Sequence, residues 1–445
     1  MSNYAAIIAR YEERTRRSRE LFEEARSLLP RGVSSNFRVI DPHPVFVESA
    51  VATTVTDADG NRYIDFGNAF GAMIVGHAHP KIVRTVEAQA RMGTLHSMPH
   101  RLEISVAREL RDRFGMEQWR FASSGAEATM HAIRVARGRT GRPKVIKFEG
   151  AYHGAHDALL VSTKPAPADA GDPRRPRPIP TGAGIPAEAC ADTLVAAFND
   201  LDSVRAQFET NPDQVACLIV EPVMLNIGVC EPDPGFLPGL RALCDEFEAL
   251  LIFDEVKTGL KIARGGAVER FGVRPDIVCL AKAVGGGLPM AAFGASAAIM
   301  EQLSSLRVFH GGTYSSNPLS LAAGEAVLKE ILTDETYGRI FALNRKLVDG
   351  YGAIIRAHKL PYYANGIGSM GTINFRRERI RNYRDWLEID SRAWHAWFLG
   401  MLNEGILPQA AGTDEQWTIS ALHTEADVEA HLMAFDRTAP LLRAL

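Results

Sequence analysis

The sequence predicts an α/β protein: a large domain with a mostly parallel sheet sandwiched by helices, followed by a smaller α+β domain. Two observations carry that prediction. Between about residues 100 and 300, short and near-continuously apolar segments alternate with helix-length segments, as strands buried on both faces of a parallel sheet do. Several of the apolar segments end on a polar residue, namely Glu149, Glu221, Asp254 and Lys282. In open α/β sheets ligands sit outside the carboxyl ends of the strands, so a site assembled from successive strand ends is expected.

Taken in order, residues 2–29 read as helix, with Tyr4, Ile7, Ile8, Tyr11, Leu21, Ala25, Leu28 and Leu29 at three-to-four spacing among charged residues, and Pro30 ends it. The turn signal Asp57-Ala58-Asp59-Gly60-Asn61 between Thr53–Val55 and Tyr63–Phe66 predicts a β-hairpin. The strand candidates that follow are Lys144–Phe148, Ala216–Val223, Ala249–Val256, Ile277–Ala281 and Ala291–Ala295. Residues 163–187 hold seven of the 24 prolines, so helix and sheet interior are excluded there and a functional lid or disordered insert is expected. The expected domains are 1–65 (N-terminal helix and β segment), 66–315 (large α/β domain) and 316–445 (small α+β domain).

Composition narrows the function class. The 445 residues carry 50 Lys and Arg against 53 Asp and Glu, a net charge of −3, which gives no electrostatic reason to expect nucleic acid or an anionic membrane. No apolar run approaches the roughly 18 residues of a membrane helix, and the first twenty residues lack the apolar core of a signal peptide. The five cysteines, Cys190, Cys217, Cys230, Cys244 and Cys279, form no C-x-x-C, so neither a disulfide framework nor a metal site is expected, and the cytoplasm is the expected compartment.

Three features point to a phosphate-bearing aldehyde cofactor. Ser123-Ser124-Gly125-Ala126-Glu127 opens a helical run, where small residues expose N–H groups to an anion. Asp254-Glu255 ends an apolar strand and suits a protonated ring nitrogen. Lys282 follows the apolar Ile277–Leu280, and burial makes a lysine amine nucleophilic. Alone, each has a plainer reading, as a helix cap, a second cap and a salt-bridge partner. Together with an aromatic residue, in this order, and with one strand–helix–strand step between Asp254 and Lys282, they match the parts that pyridoxal phosphate (PLP) chemistry requires.

The segments DADGNRYIDF, GHAHP, SSGAEATMHAIRVARG, GAYHG, EPV, LLIFDEVKTG, PDIVCLAKAVGGGLP, GGTYSSNPLS and ISALHT resemble the class III (subgroup II) PLP-dependent aminotransferases, over roughly residues 20 to 440. The resemblance implies PLP fold type I, the aspartate aminotransferase-like architecture. It implies that Lys282 forms the Schiff base and shuttles the proton, that Asp254 binds the pyridinium nitrogen, and that Tyr152 and Val256 pack on the two ring faces with His153 close by. It places Ser124, Gly125 and Ala126 at the phosphate and Glu221 and Asn226 near the phenolic oxygen. Thr313 would reach the phosphate of the neighbouring subunit, which implies a homodimer. The family commonly has threonine where this chain has Ala126, so one phosphate contact is missing.

Within the family the chain is similar to glutamate-1-semialdehyde 2,1-aminomutase, D-phenylglycine aminotransferase and β-phenylalanine aminotransferase. Arg38 matches a carboxylate-binding arginine of the mutase, whereas the β-phenylalanine type places its arginine where this chain has Ser35. Phe70 falls where the mutase has tryptophan, as an apolar pocket wall. Glu415 falls near the mutase's gating glutamate, but an exposed turn glutamate is the plainer expectation. The proline-rich segment replaces the mutase's mobile loop, which counts against mutase activity. The expected reaction is therefore transamination from an amino acid or amine to an oxo acid, through pyridoxamine phosphate, with the 1,2-aminomutase and a PLP racemase as alternatives.

Overall fold

The computed structural model describes residues 2–443. The chain forms two compact units: one from residues through Pro80, Glu335–Arg379 and Glu388 onward, the other from Lys81–Asp334 with Ile380–Leu387.

The larger unit is organised by a seven-stranded sheet: β1 (Gln118–Ala122), β2 (Lys144–Phe148), β3 (Thr193–Ala196), β4 (Val215–Val220), β5 (Leu250–Asp254), β6 (Ile277–Leu280) and β7 (Ala291–Ala295), in the order β1-β7-β6-β5-β4-β2-β3. The β6-β5, β5-β4, β4-β2 and β2-β3 pairs are parallel, and β7 runs antiparallel to both its neighbours. All six residues of β4 are buried, which is why its sequence VACLIV shows no alternation. Helix α1 (Gly125–Thr140) lays Ala132, Ile133, Val135 and Ala136 on this sheet, where they share a core with Val145, Ile219, Ile252, Ile277 and Phe293. Truncating one of these isoleucines to alanine costs roughly 2–5 kcal/mol.

Strands β4 and β5 stop sooner than their apolar runs predict: Pro222 has no N–H to give the ladder after β4, and at both ends an acidic side chain bonds the main chain of the turn that follows. Glu221 Oε2 accepts from the Leu225 N–H at 3.1 Å, and Asp254 Oδ1 accepts from the Val256 N–H at 3.0 Å. Both acids therefore sit where the chain leaves the carboxyl end of an interior strand.

The other unit carries the hairpin expected around Gly60, its strands Thr54–Asp57 and Arg62–Asp65 being antiparallel. The strand Ile406–Leu407 adds to it in parallel, and a three-stranded sheet is built from Tyr363–Ile367, Met370–Asn374 and Trp417–Thr418. The helix expected over residues 2–29 is two helices, Asn3–Arg14 and Arg16–Arg26. Thr15 breaks it, bonding its own hydroxyl to the Tyr11 carbonyl at 2.7 Å, while Asp59 accepts from the N–H groups of Arg17 and Ser18 and caps the second helix. That cap comes from some 40 residues away, so no local pattern announces it.

The 163–187 segment, from which helix was excluded, holds one helical turn, Pro167–Ala170, with proline at its first position, where a missing N–H costs nothing. Among the described residues, no helix is long and apolar enough to cross a membrane.

Candidate active site

Most of the residues singled out from the sequence follow the ends of strands of the large sheet. Asp254, the last residue of β5, is 4 % exposed, and its Oδ2 lies 2.7 Å from His153 Nδ1. With Val256 N–H on Oδ1, both carboxylate oxygens are held. His153 is buried in turn, and its Nε2 has no hydrogen-bond partner, which is costly in a folded protein unless a ligand supplies one.

Tyr152, next to it, donates its N–H to Glu221 Oε1 at 3.1 Å. The same oxygen accepts from Asn226 Nδ2 at 2.8 Å, so Glu221 and Asn226 form one polar pair at the end of β4. Burial raises the Glu221 carboxyl above its ordinary range, and burial with the Asp254 charge raises the Tyr152 phenol.

Lys282 follows β6 with φ at +53°, in the left-handed region that costs a residue with Cβ about 1–2 kcal/mol. Such strain persists only where the surroundings over-determine it, and it gathers at functional sites.

The N-terminus of α1 lies within the same unit. Ser124 is its cap: the hydroxyl accepts from the Glu127 N–H, and Glu127 Oε2 takes the N–H groups of Ser123 and Ser124. Gly125 and Ala126 occupy the first helical positions, whose N–H groups have no acceptor within a helix. A Cβ on Gly125 would come 3.0 Å from Val256. One on Gly154, at φ +103°, would come 2.5 Å from the Ala126 Cα, so Gly154 requires glycine while Gly125 is only tightly packed. The Thr129 hydroxyl ties α1 to the histidine loop through the His153 carbonyl.

The arrangement suits a ligand with an anionic group, an electrophilic carbonyl and a protonated ring nitrogen. The helix N-terminus favours the anion, Asp254 the cation, and Lys282 brings the amine. The unpartnered His153 Nε2 and the glycine-lined cradle are the features that fit such a guest.

Thr313 is placed elsewhere in this unit, exposed on the loop before helix Pro318–Ala326 and lining a surface cavity with Met98, Pro99 and His100. Arg38 and Phe70 belong to the other unit. Arg38 is exposed, with Nη1 donating to Ser34 Oγ at 2.8 Å. Phe70 meets Phe37 edge-on, ring centroids 6.2 Å apart, and lies in a run of four positive φ angles, Asn68, Ala69, Phe70 and Gly71. Glu415, expected to be an exposed turn residue, is 4 % exposed, with Oε2 accepting from Gln416 Nε2 at 3.2 Å.

Two contributors were missed from sequence. Lys147, fully buried within β2, donates to the carbonyls of Ala151, Leu159 and Val161 and so gathers the loop that carries Tyr152 and His153; burial pushes its amine down to about 7. Glu149 was noticed only as a strand end, and its partner Arg384 lies 235 residues away. A lysine inside the apolar KVIKF was the one available signal.

Comparison with known proteins gives these groups a context. The family model for class III aminotransferases matches residues 37–435. A glutamate-1-semialdehyde 2,1-aminomutase of Syntrophobacter fumaroxidans is 41% identical over 418 residues, 93% of this chain and 95% of its own. The crystal structure of an omega-transaminase from Sphaerobacter thermophilus superposes with a TM-score of 0.91 at 31% identity, covering 96% of this chain and 98% of that one. That of a glutamate-1-semialdehyde aminomutase from Pseudomonas aeruginosa PAO1, in complex with PMP, gives 0.89 at 28% identity, covering 99% and 98%. The chain belongs to the class III aminotransferases, PLP enzymes of fold type I.

Proposed function

We propose that the protein transfers an amino group from an amino acid or amine donor to an oxo acid, with Lys282 and Asp254 as its catalytic residues. The observation that carries this reading is the buried Asp254, held by His153 and the Val256 N–H one strand–helix–strand step before a lysine at strained φ. PLP, when bound, supplies an aldehyde that condenses with amines and a ring that accepts the electron pair left on the substrate carbon.

The chain's own groups do the rest. Lys282 Nζ would hold the cofactor until the donor's amine displaces it, and the freed amine would then take the proton from the donor's α-carbon and return it one position away. Asp254 keeps the ring nitrogen protonated, and the His153 contact orients that carboxylate. Gly125 and Ala126 N–H groups receive the phosphate, Tyr152 and Val256 pack on the ring, and the Glu221–Asn226 pair faces its phenolic oxygen. Arg38 receives a substrate carboxylate through its planar fork, and Phe70 provides an apolar wall.

We extend the proposal to a homodimer. The 95–98 and 306–314 segments leave Met98, Leu306, Phe309 and Tyr314 more than 60 % exposed, an apolar surface of the kind that marks an interface, and Thr313 lies among them.

The 41% identity to an aminomutase favours a second reading, an intramolecular 1,2-shift of the amino group. Visible absorption of the purified protein, before and after single amino donors, separates the two. Loss of the cofactor band with release of the matching oxo acid supports transamination and names the donor. A response confined to glutamate-1-semialdehyde or a diamine, with no oxo acid released, supports the aminomutase. Absence of any band with added PLP would overturn the cofactor assignment.

A further inference from the structure

The proline-rich segment has no role in the chemistry above, yet it is tied to the site's edge. Ser162 N–H donates to the Ile179 carbonyl, Ser162 Oγ donates to the Arg177 carbonyl, and the Thr181 N–H donates to the Leu160 carbonyl, so residues 162–181 form an arm closed at its base. That base is shared with the loop carrying Tyr152, since the Gly150 N–H donates to the Ser162 carbonyl at 2.9 Å.

The outlying segment Ile380–Leu387 meets the arm there. Arg384, on the one-turn helix Tyr383–Trp386, holds Glu149 bidentately, Nε to Oε2 at 2.7 Å and Nη2 to Oε1 at 2.8 Å, and Nη2 also donates to the Gly171 carbonyl of the arm at 3.3 Å. Glu149 is 2 % exposed and follows β2, three residues before Tyr152. The Tyr383 hydroxyl donates to the Pro165 carbonyl at 2.9 Å, and its ring lies so close to Gly150 that a Cβ there would come within 2.5 Å of it.

We propose that Arg384 is a positioning residue: by joining Glu149 to the arm it makes residues 163–181 a fixed wall of the substrate pocket, held to the strand end that precedes Tyr152. A fixed wall shapes the space open to the amino donor. The chemistry of the arm, proline-rich with exposed Arg174, Arg175 and Arg177, suits a border that does not open and close during turnover. The inference rests on the functional reading above only for its consequence on substrate.

Trypsin reads the clamp without substrate. Lys164, Arg175 and Arg177 each precede proline, which blocks cleavage, so the Arg174–Arg175 bond is the one tryptic site within residues 163–187. In the holoenzyme, Arg384→Met and Glu149→Gln are each expected to raise cleavage there at least tenfold. The double variant should be cut no faster than either single one, since all three lack one contact; it also avoids leaving the Glu149 charge buried alone, so it keeps the test if Arg384→Met fails to fold. In the folded variants the KM of the donor should rise at least fivefold with kcat within twofold and the cofactor band unmoved. Wild-type cleavage in the double variant, or a fall in kcat at unchanged KM, would overturn the proposal. If the wild type shows no cofactor band, the functional reading fails while the cleavage result still decides the clamp.

Discussion

Gly154→Ala tests the cradle that brings the histidine loop against α1. The new Cβ would stand 2.5 Å from the Ala126 Cα and 2.7 Å from its Cβ, about 1 Å short of the 3.4 Å at which ordinary contact begins. Both obstructing atoms are main chain or attached directly to it, so no rotamer change relieves the clash. The φ of +103° adds strain of about 1–3 kcal/mol for a residue with Cβ, and overpacking adds about 1–3 kcal/mol more. Either the loop or the first turn of α1 must move by about 1 Å, and the Thr129–His153 bond transmits that shift to the Asp254 partner. Displacements of that size cost active sites about a hundredfold. PLP titrated into the apoprotein, followed by its visible band, should bind at least tenfold more weakly, about 1.4 kcal/mol, with a lowered thermal midpoint. Gly182→Ala, where nothing lies within 4 Å, serves as the control and should bind PLP as the wild type does. Wild-type affinity in the Gly154 variant would refute the cradle.

Asp254→Asn keeps the shape but removes the charge, so kcat should fall by orders of magnitude at unchanged fold; a rate near wild type in stopped-flow half-reactions would reject the assignment. Arg38→Ala should raise KM for carboxylate-bearing donors and spare simple amines, and equal effects on both in steady-state kinetics would take Arg38 out of the site. Glu255, fully buried, has its carboxyl raised from 4.5 to about 7 by desolvation, outweighing its bonds to Thr258 and the Ala267 N–H. The folded state then holds the proton more tightly, so this contribution to stability is complete below pH 4.5 and is lost as pH rises through about 7, roughly 3 kcal/mol in all. Glu255→Gln should shrink the difference in denaturant stability between pH 5 and pH 8; an unchanged difference would contradict the burial argument.

What was legible in the sequence follows strand position. The five strands anticipated, β2, β4, β5, β6 and β7, all lie inside the sheet with a neighbour on each side, and their residues are almost wholly buried. The two missed, β1 and β3, are its edges. β1, QWRFA, leaves Gln118 and Arg120 exposed and so presents no continuous apolar run. The carboxylate and the lysine stood out because strand ends are visible as changes from apolar to polar. The Lys147 and Arg384 contacts did not, because a buried cation is identified by the carbonyls or carboxylate it meets, and those come from loops whose path residue types do not specify. Glu415 was misjudged for the same reason: GTDEQ has the composition of a solvated turn, and only the packing around it buries the acid.

The smaller unit's discontinuity has a consequence for the order in which the protein can be made. Its first helix packs on Ser391–Asn403 through Tyr4 with His395, Arg10 with the Asn403 carbonyl and Asn403 with the Ile7 carbonyl, the last pair 396 positions apart. At ribosomal rates of about 5–20 residues per second, the opening helix waits roughly 20–80 seconds for its partner to be synthesised. Lys81–Asp334, which holds the whole seven-stranded sheet, emerges meanwhile and can fold. A nascent chain halted near residue 385 should therefore carry a protease-resistant sheet unit behind an N-terminal segment that is still readily cut, with Ile7 lacking its Asn403 partner until the last sixty residues arrive.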